Sequence, residues 1–431
     1  MGRANSEQTA RLTGVAIGLL LVAGASCGGD TQISGRLDRL IGDLVTVTLE
    51  SGAGGFDDST LLLDSAGRSF QTSELNASPA GKVRTLTIPE GVATGAAQLL
   101  LNAQGGDEYR IPLTISRLLF LAADDGVATA VAAPGSSLNG GRLGQVGTPL
   151  ANGLVVLPGG SHLAVVASNQ LQFYSISDGF ARKGSAIGAD DVTAIVGTKA
   201  GVVLARKDKV SFEGVDGQGK GPYTVKGLVA VAADREGNRA LALSACDTNN
   251  DNTADSDCLT LIDLSGATPA SETVLDATPS ATVVAMSPDG ATAVVGDGST
   301  LYGVSFGAGS PVVGQLGWAN AQVVAIDATV AEGRAIYIVA DAAGRRLQLV
   351  GFSNSTKLGS VACSESTLTD TPRAVHFGRS PEVYVLTDKQ LLSIAQPWTT
   401  RTNNQCPPIA VAPVAGTPTV ANKFVGLAVQ R

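Results

Sequence analysis

The chain is poor in the residues from which most enzyme centres are built. Only two histidines, His162 and His376, stand in 431 residues, and aromatics make up 4%. His162 follows a Gly-Gly turn and starts a strand, and His376 sits in the apolar run RAVHFG. Each therefore reads as a turn or packing residue rather than a base or metal ligand. No GxSxG elbow, HExxH, CxxC or GxxxxGK[ST] occurs, so nucleophile-elbow hydrolysis, zinc proteolysis and P-loop chemistry have no sequence signature here. The cluster GVDGQGKG at 214–221 has no helix pattern behind it to cradle phosphate and reads as a loop. Basic excess is also missing: 30 Lys and Arg face 38 Asp and Glu, a net charge of −8. That balance argues against nucleic acid, which requires a positive footprint. With so few aromatics, Trp318 and Trp398 are expected to pack between elements rather than present ligand platforms.

Long hydrophobic runs are absent after residue 30. Before it lies Leu12–Ala25 (LTGVAIGLLLVAGA), behind a start carrying Arg3 and Arg11. The run is too short and too rich in Gly and Ala to span a bilayer, and it reads as a targeting signal over 1–26. Small residues lead into Cys27 (Gly24-Ala25-Ser26-Cys27). This resembles the lipobox of bacterial lipoproteins, although Gly24 stands where that family has Leu, and Leu21 is out of register. The resemblance implies a lipidated Cys27 as the mature N-terminus, and the following Gly28 implies an outer-membrane address facing the periplasm or the cell surface. The other reading is a plain secretory signal cut after Ala25 or Ser26. Either way the remaining chain holds 28 basic and 37 acidic groups, net −9. With Cys27 set aside, Cys246, Cys258, Cys363 and Cys406 form an even set suited to two disulfides in an oxidising compartment. Of the three pairings, Cys246–Cys258 with Cys363–Cys406 is the first expectation, because the former closes a short loop between two strands.

What remains is β-strand material: many Gly, a charged fraction of 16%, and short runs of Val, Leu, Ala and Thr without helical periodicity. The expected class is all-β. After a linker (27–35), residues 36–115 carry five strand candidates: LVTVTLES, STLLLDS, VRTLTIP, AAQLLLNAQ and EYRIPLTIS. Their spacing suits a small sandwich. The stretch LTIPEGVATGAAQLLLNAQGGDEYRIPLTI resembles the closing part of IPT/TIG immunoglobulin-like domains, which implies a spacer or binding module.

From 116 to 431 the chain repeats. The clearest unit is TVVAMSPDGATAVVGDGSTLYGVSF, residues 282–306. First strands recur near Leu154, Thr193, Val229, Val283, Val323 and Ala374. The step is that of β-propeller blades. RLLFLAADDGVATAVAAPG at 117–135 lacks a first strand, and KFVGLAVQR at 423–431 is a first strand with nothing after it. Joining the two completes a seventh unit and removes the open edge. The expected architecture is thus a seven-bladed β-propeller closed by the C-terminal strand. The SPDG turn at 287–290 and its neighbours resemble YVTN-type and related bacterial propeller repeats, a resemblance that speaks to repeat type and not to activity.

One insertion stands out. DTNNDNTADSD, between Cys246 and Cys258, interrupts the unit that begins near Val229 after its second strand. Asp247, Asn249, Asp251, Thr253 and Asp255 fall at the first, third, fifth, seventh and ninth positions of an EF-hand-like loop. Asn252 occupies the turn position, and Asp257 is the substitute for the missing bidentate Glu. The loop is similar to those of thrombospondin type 3 and dockerin-like repeats, and structural Ca2+ is the expected cofactor. The competing reading is a solvated hairpin tip. Together these features point to a non-enzymatic envelope lipoprotein, held to the membrane by its lipid, whose propeller binds a protein or other ligand. An outer-membrane assembly factor and a propeller lyase or hydrolase acting on an extracellular polymer are the alternatives.

Overall fold

The computed structural model describes residues 19–22, 31–32, 37–49, 55–106, 108–123, 128–132, 141–142, 149–176, 180–249, 251, 253–264, 269–276, 280–298, 300–306, 312–318, 322–329, 334–341, 344–354, 357–358, 366–377, 382–395, 412–414 and 424–430. Among them there is no helix; the chain is all-β.

All five strand candidates of the N-terminal region form. Leu44–Leu49 pairs with Val83–Thr87 in one sheet. Glu108–Ser116, Gly95–Ala103, Phe56–Leu63 and Ser69–Gln71 follow one another in a second. Alternation decides which side chains go in. Leu99, Leu101 and Ala103 are buried along one strand, and Val45 and Val47 along another. Together with Phe56, Leu62, Leu86, Tyr109 and Ile111 they make one core between the two sheets. Two pairings depart from the expected leader and linker. Leu19–Val22, inside the expected signal, pairs parallel with Leu44–Leu49. Thr31–Gln32, inside the expected linker, pairs parallel with Glu108–Ser116. In each case a strand edge with free backbone N–H and C=O groups gains a backbone partner.

Beyond Ser116 come antiparallel meanders. Their first strands are Pro149–Val156, Val192–Thr198, Leu228–Ala233, Ala281–Met286, Gln322–Thr329 and Pro372–Phe377. Each matches a start expected from the repeat. A further sheet joins the two ends of this region: Phe424–Val429 pairs antiparallel with Leu118–Ala123, which pairs with Ala128–Ala132. The first strands touch one another in chain order, and Phe424–Val429 touches both Pro372–Phe377 and Pro149–Val156. Neighbouring sheets share apolar layers, for example Val203, Phe212 and Tyr223 against Val231, Ala240 and Ala242. Each fully buried Val, Leu or Phe in such a layer contributes about 1.5–3 kcal/mol.

Short turns link first to second strands, and these turns lean on one another. Arg235 N–H donates to Pro288 O at 2.9 Å, and Lys199 N–H donates to Arg235 O at 2.7 Å. The SPDG turn at 287–290 shows what such a turn requires. Asp289 Oδ1 accepts from the Ser287 hydroxyl (2.6 Å) and from Ala291 N–H (2.9 Å), and Gly290 takes φ +68°. A Cβ at Gly290 would stand 3.0 Å from Asp234 Cβ, and one at Gly237 (φ +79°) 2.9 Å from Thr198 Oγ1. Only glycine fits both the dihedral angle and the gap.

Candidate functional site

The first strands share a device that no reading of strand periodicity reveals. In six of them the register with the second strand skips one residue near the start: Thr193, Val229, Thr282, Val324, Arg373 and Val425. Each is a β-bulge, which re-aims the strand at that point. Five of the six carry Thr or Val; the sixth carries a long cation. Three residues further along stand Val196, Ala232, Ala285, Asp327, His376 and Ala428. Here four positions are small and apolar, and two are ionisable.

These strands surround one cavity of about 830 Å3. Its walls are mostly Val, Ala and Leu, including Val155, Val196, Ala232, Ala285 and Ala428. Among its polar residues Thr193 and Thr282 are neutral, Glu90, Arg235, Glu236 and Asp289 belong to the turns, and Asp327, Arg373 and His376 stand on the first strands themselves. The Gln322–Thr329 and Pro372–Phe377 strands are adjacent, so all three lie on one wall. Asp327 Oδ2 accepts the Phe377 N–H at 2.8 Å and lies 3.6 Å from His376 Nδ1. The His376 side chain is 33% exposed. The expectation that His376 packs in an apolar strand is therefore corrected: it does sit in such a strand, but it borders a cavity. The signal that could have found it was the alignment of first strands, where His and Asp replace Ala. His162 stays where the turn puts it, at the start of His162–Ala167, with Ser161 Oγ 2.9 Å from its Nδ1. Partial burial, with Lys183 nearby, lowers its pKa.

The N-terminal unit sits over the turn end of the cavity. Glu90, from the IPEG turn, lines the cavity and pairs with Arg235. Glu236, also lining it, pairs with Lys199 at 3.3 Å. Arg117, fully buried where the two units join, donates to Glu382 Oε2 at 2.5 Å. Glu382 also accepts from Thr94 Oγ1 and from Tyr384 OH. Burial pushes the Tyr384 phenol far up; Arg117 opposes this and Glu382 adds to it, and the group stays a donor. Gln430 finishes the junction: its Nε2 donates to Ile41 O (2.7 Å) and Gly160 O (3.1 Å), and its Oε1 accepts from Leu118 N–H (3.1 Å).

The acidic loop lies at the other end of its sheet, between Arg239–Cys246 and Ser256–Asp263. Cys246 and Cys258 are bonded, with Cα atoms 5.8 Å apart. A bridge over so short a loop contributes on the order of 2–3 kcal/mol. The proposed metal ligands are only partly brought together. Asp247 Oδ1 and Asn249 Oδ1 converge on the Asp251 N–H, at 3.2 and 2.9 Å. Asp251 Oδ1 accepts from Thr253 N–H (2.8 Å). Asp255 is turned to Thr248, whose N–H (3.0 Å) and hydroxyl (2.9 Å) it accepts; the backbone bond holds its carboxyl below the usual range. Asp257, expected to complete the set, is corrected out of it. It is buried in the strand, and its Oδ2 accepts the N–H groups of Ser280 (2.8 Å) and Ala281 (2.7 Å) on the next sheet. The pleat sends it to the face opposite the loop tip. Among the described residues no group of three or more His, Cys, Asp or Glu is placed to hold a metal ion. Cys27, Cys363, Cys406, Asn252 and Trp398 lie outside the described residues.

No family model matches the chain, and no curated protein does. Solved structures do resemble it. The complex of KlAtg21 with the coiled coil of AgAtg16 aligns with a TM-score of 0.50 at 11% identity, over 68% of this chain and 97% of that one. AztD of Citrobacter koseri aligns with a TM-score of 0.47 at 13% identity, over 73% and 97%. Kluyveromyces lactis Hsv2 aligns at 0.47 and 7% identity, over 69% and 98%. At such identities the likeness concerns fold alone, and the fold is an all-β arrangement of four-stranded antiparallel sheets of the propeller type.

Proposed function

We propose that this protein is a non-enzymatic, exported lipoprotein whose seven-bladed propeller is a binding scaffold. Residues 36–115 are the IPT/TIG-like module that seats on its turn face. The observation that carries the reading is the cavity of about 830 Å3 bordered by the first strands, lined mostly by small apolar side chains, with Asp327, Arg373 and His376 together on one wall. That size and lining suit a small-molecule site. Cys27 carries the lipid and holds the molecule to the outer membrane. Cleavage before Cys27 removes Leu19–Val22 and leaves Leu44–Leu49 as the edge of its sheet.

Native mass spectrometry of the protein extracted from its own membrane fraction tests both halves. The expected mass is that of a chain starting at lipidated Cys27 and carrying a noncovalent molecule. Cys27→Ser is expected to shift the protein out of the membrane fraction. A mass that includes residues 1–26 would overturn the lipoprotein, and a bare chain would overturn the cavity as binding centre. An enzymatic reading is favoured by one observation, the Asp327–His376 pair within the cavity. Polymer turnover abolished by His376→Asn would replace the scaffold with a hydrolase or lyase.

The loop between the cysteines is read as a calcium loop that uses Asp247, Asn249, Asp251, Thr253 and Asp255. Its hard oxygen donors suit that ion, and the convergence of Asp247 and Asn249 supports the fit. The ion's role there is to neutralise carboxylates that otherwise repel. Millimolar calcium is expected to raise Tm and EDTA to restore it. An unchanged Tm, with no calcium on the purified protein, sinks the metal and leaves the solvated tip.

A further inference from the structure

The charged groups that line the cavity are not equivalent. Glu90 is paired with Arg235, and Glu236 with Lys199. Asp289 is held inside its own turn by Ser287 and Ala291. Asp327 is tied to the Phe377 N–H and faces His376. Arg373 is exposed to the cavity and, among the described residues, has no ion-pair or hydrogen-bond partner. It occupies the bulge, where the other strands place Thr193, Val229, Thr282, Val324 and Val425. Bulges of this kind redirect side chains and cluster beside functional sites. A guanidinium in a repeat position otherwise filled by Thr or Val gives the cavity one cationic anchor on a polar wall. The facing walls, from Val155 round to Ala285, are mostly Val and Ala, with Thr193 and Thr282 as their neutral polar members and the paired Arg235 and Glu236 at the turn end.

We infer that the cavity binds a small anionic amphiphile, its carboxylate on Arg373 with His376 beside it and its apolar body along the Val and Ala wall. The inference rests on the reading of the cavity as a ligand site and names the ligand's class. Guanidinium is suited to carboxylate because its paired N–H groups match the two oxygens. The aliphatic wall offers a chain no polar partner and excludes water from it.

Calorimetric titration of the full-length protein with dodecanoate and dodecyltrimethylammonium below their micellar concentrations, and with dodecan-1-ol below its solubility limit, tests this. Dodecanoate is expected to bind most tightly, and Arg373→Gln to weaken it by roughly 10- to 100-fold, the loss of hydrogen bonds to a charged group. Dodecanol, whose neutral hydroxyl makes weaker hydrogen bonds, should lose far less than dodecanoate, and Tm without ligand should not change. The order of the three chains on the wild type stands even where the variant folds poorly. Equal binding of dodecanoate and dodecanol, or an unchanged affinity in Arg373→Gln, overturns the anion site while leaving a cavity that binds ligands. Preference for the cationic chain overturns it in the same way. Binding of no chain also overturns it, and the scaffold reading then stands or falls on native mass spectrometry alone.

Discussion

Arg117→Met is expected to lower the unfolding free energy by about 3–5 kcal/mol, because it leaves a carboxylate without its cation at a buried junction. Arg117 is fully buried at the junction, and its side chain reaches Glu382. Glu382 collects Arg117, Thr94 and Tyr384. Removal of the guanidinium leaves two neutral donors for one charge. Glu382→Gln strands the guanidinium instead, so it is also expected to destabilise. The double variant should recover part of both losses, since neither charge is then left alone. Urea unfolding of the three proteins measures the cycle. Additive losses in the double variant would show that the two side chains are not coupled.

Asp257→Ala comes next, at about 3–4 kcal/mol, since it orphans two N–H groups where burial leaves little water to replace the carboxylate. Those groups belong to Ser280 and Ala281, the entry of the next first strand. The loss should appear as faster amide exchange at Ala281–Met286 before global unfolding. Asp257→Asn keeps an acceptor and should lose far less. If exchange in that strand is unaltered in Asp257→Ala, the carboxylate does not tie the two sheets.

The same residue shows how far the sequence could be read. Asp257 sits next to an acidic loop and by adjacency looks like a ligand. Its strand position, two sheet faces per residue pair, sends it instead to the neighbouring sheet. Likewise His376 reads from the sequence as a packing residue in an apolar strand, and nothing in the sequence singles out Asp327. They become neighbours only when adjacent first strands align on the same bulge. Arg373 was indistinguishable from any exposed Arg until the register skipped it. By contrast, local pattern was sufficient wherever alternation and turn chemistry act within a few residues. The six first strands, the SPDG turn and the Cys246–Cys258 bridge were all legible on that basis.

The sequence by itself determined the all-β class, the strand and turn positions, the return of the C-terminal strand to Leu118–Ala123 and the oxidised hairpin. Each follows from residues close together in the chain or from a repeat that leaves one strand over. Only the tertiary structure decided which face the N-terminal unit covers and which side chains meet in the cavity. It also decided which carboxylates are already engaged. Those outcomes depend on contacts between residues far apart in the chain, set by bulges, sheet stacking and desolvation rather than by any local spacing.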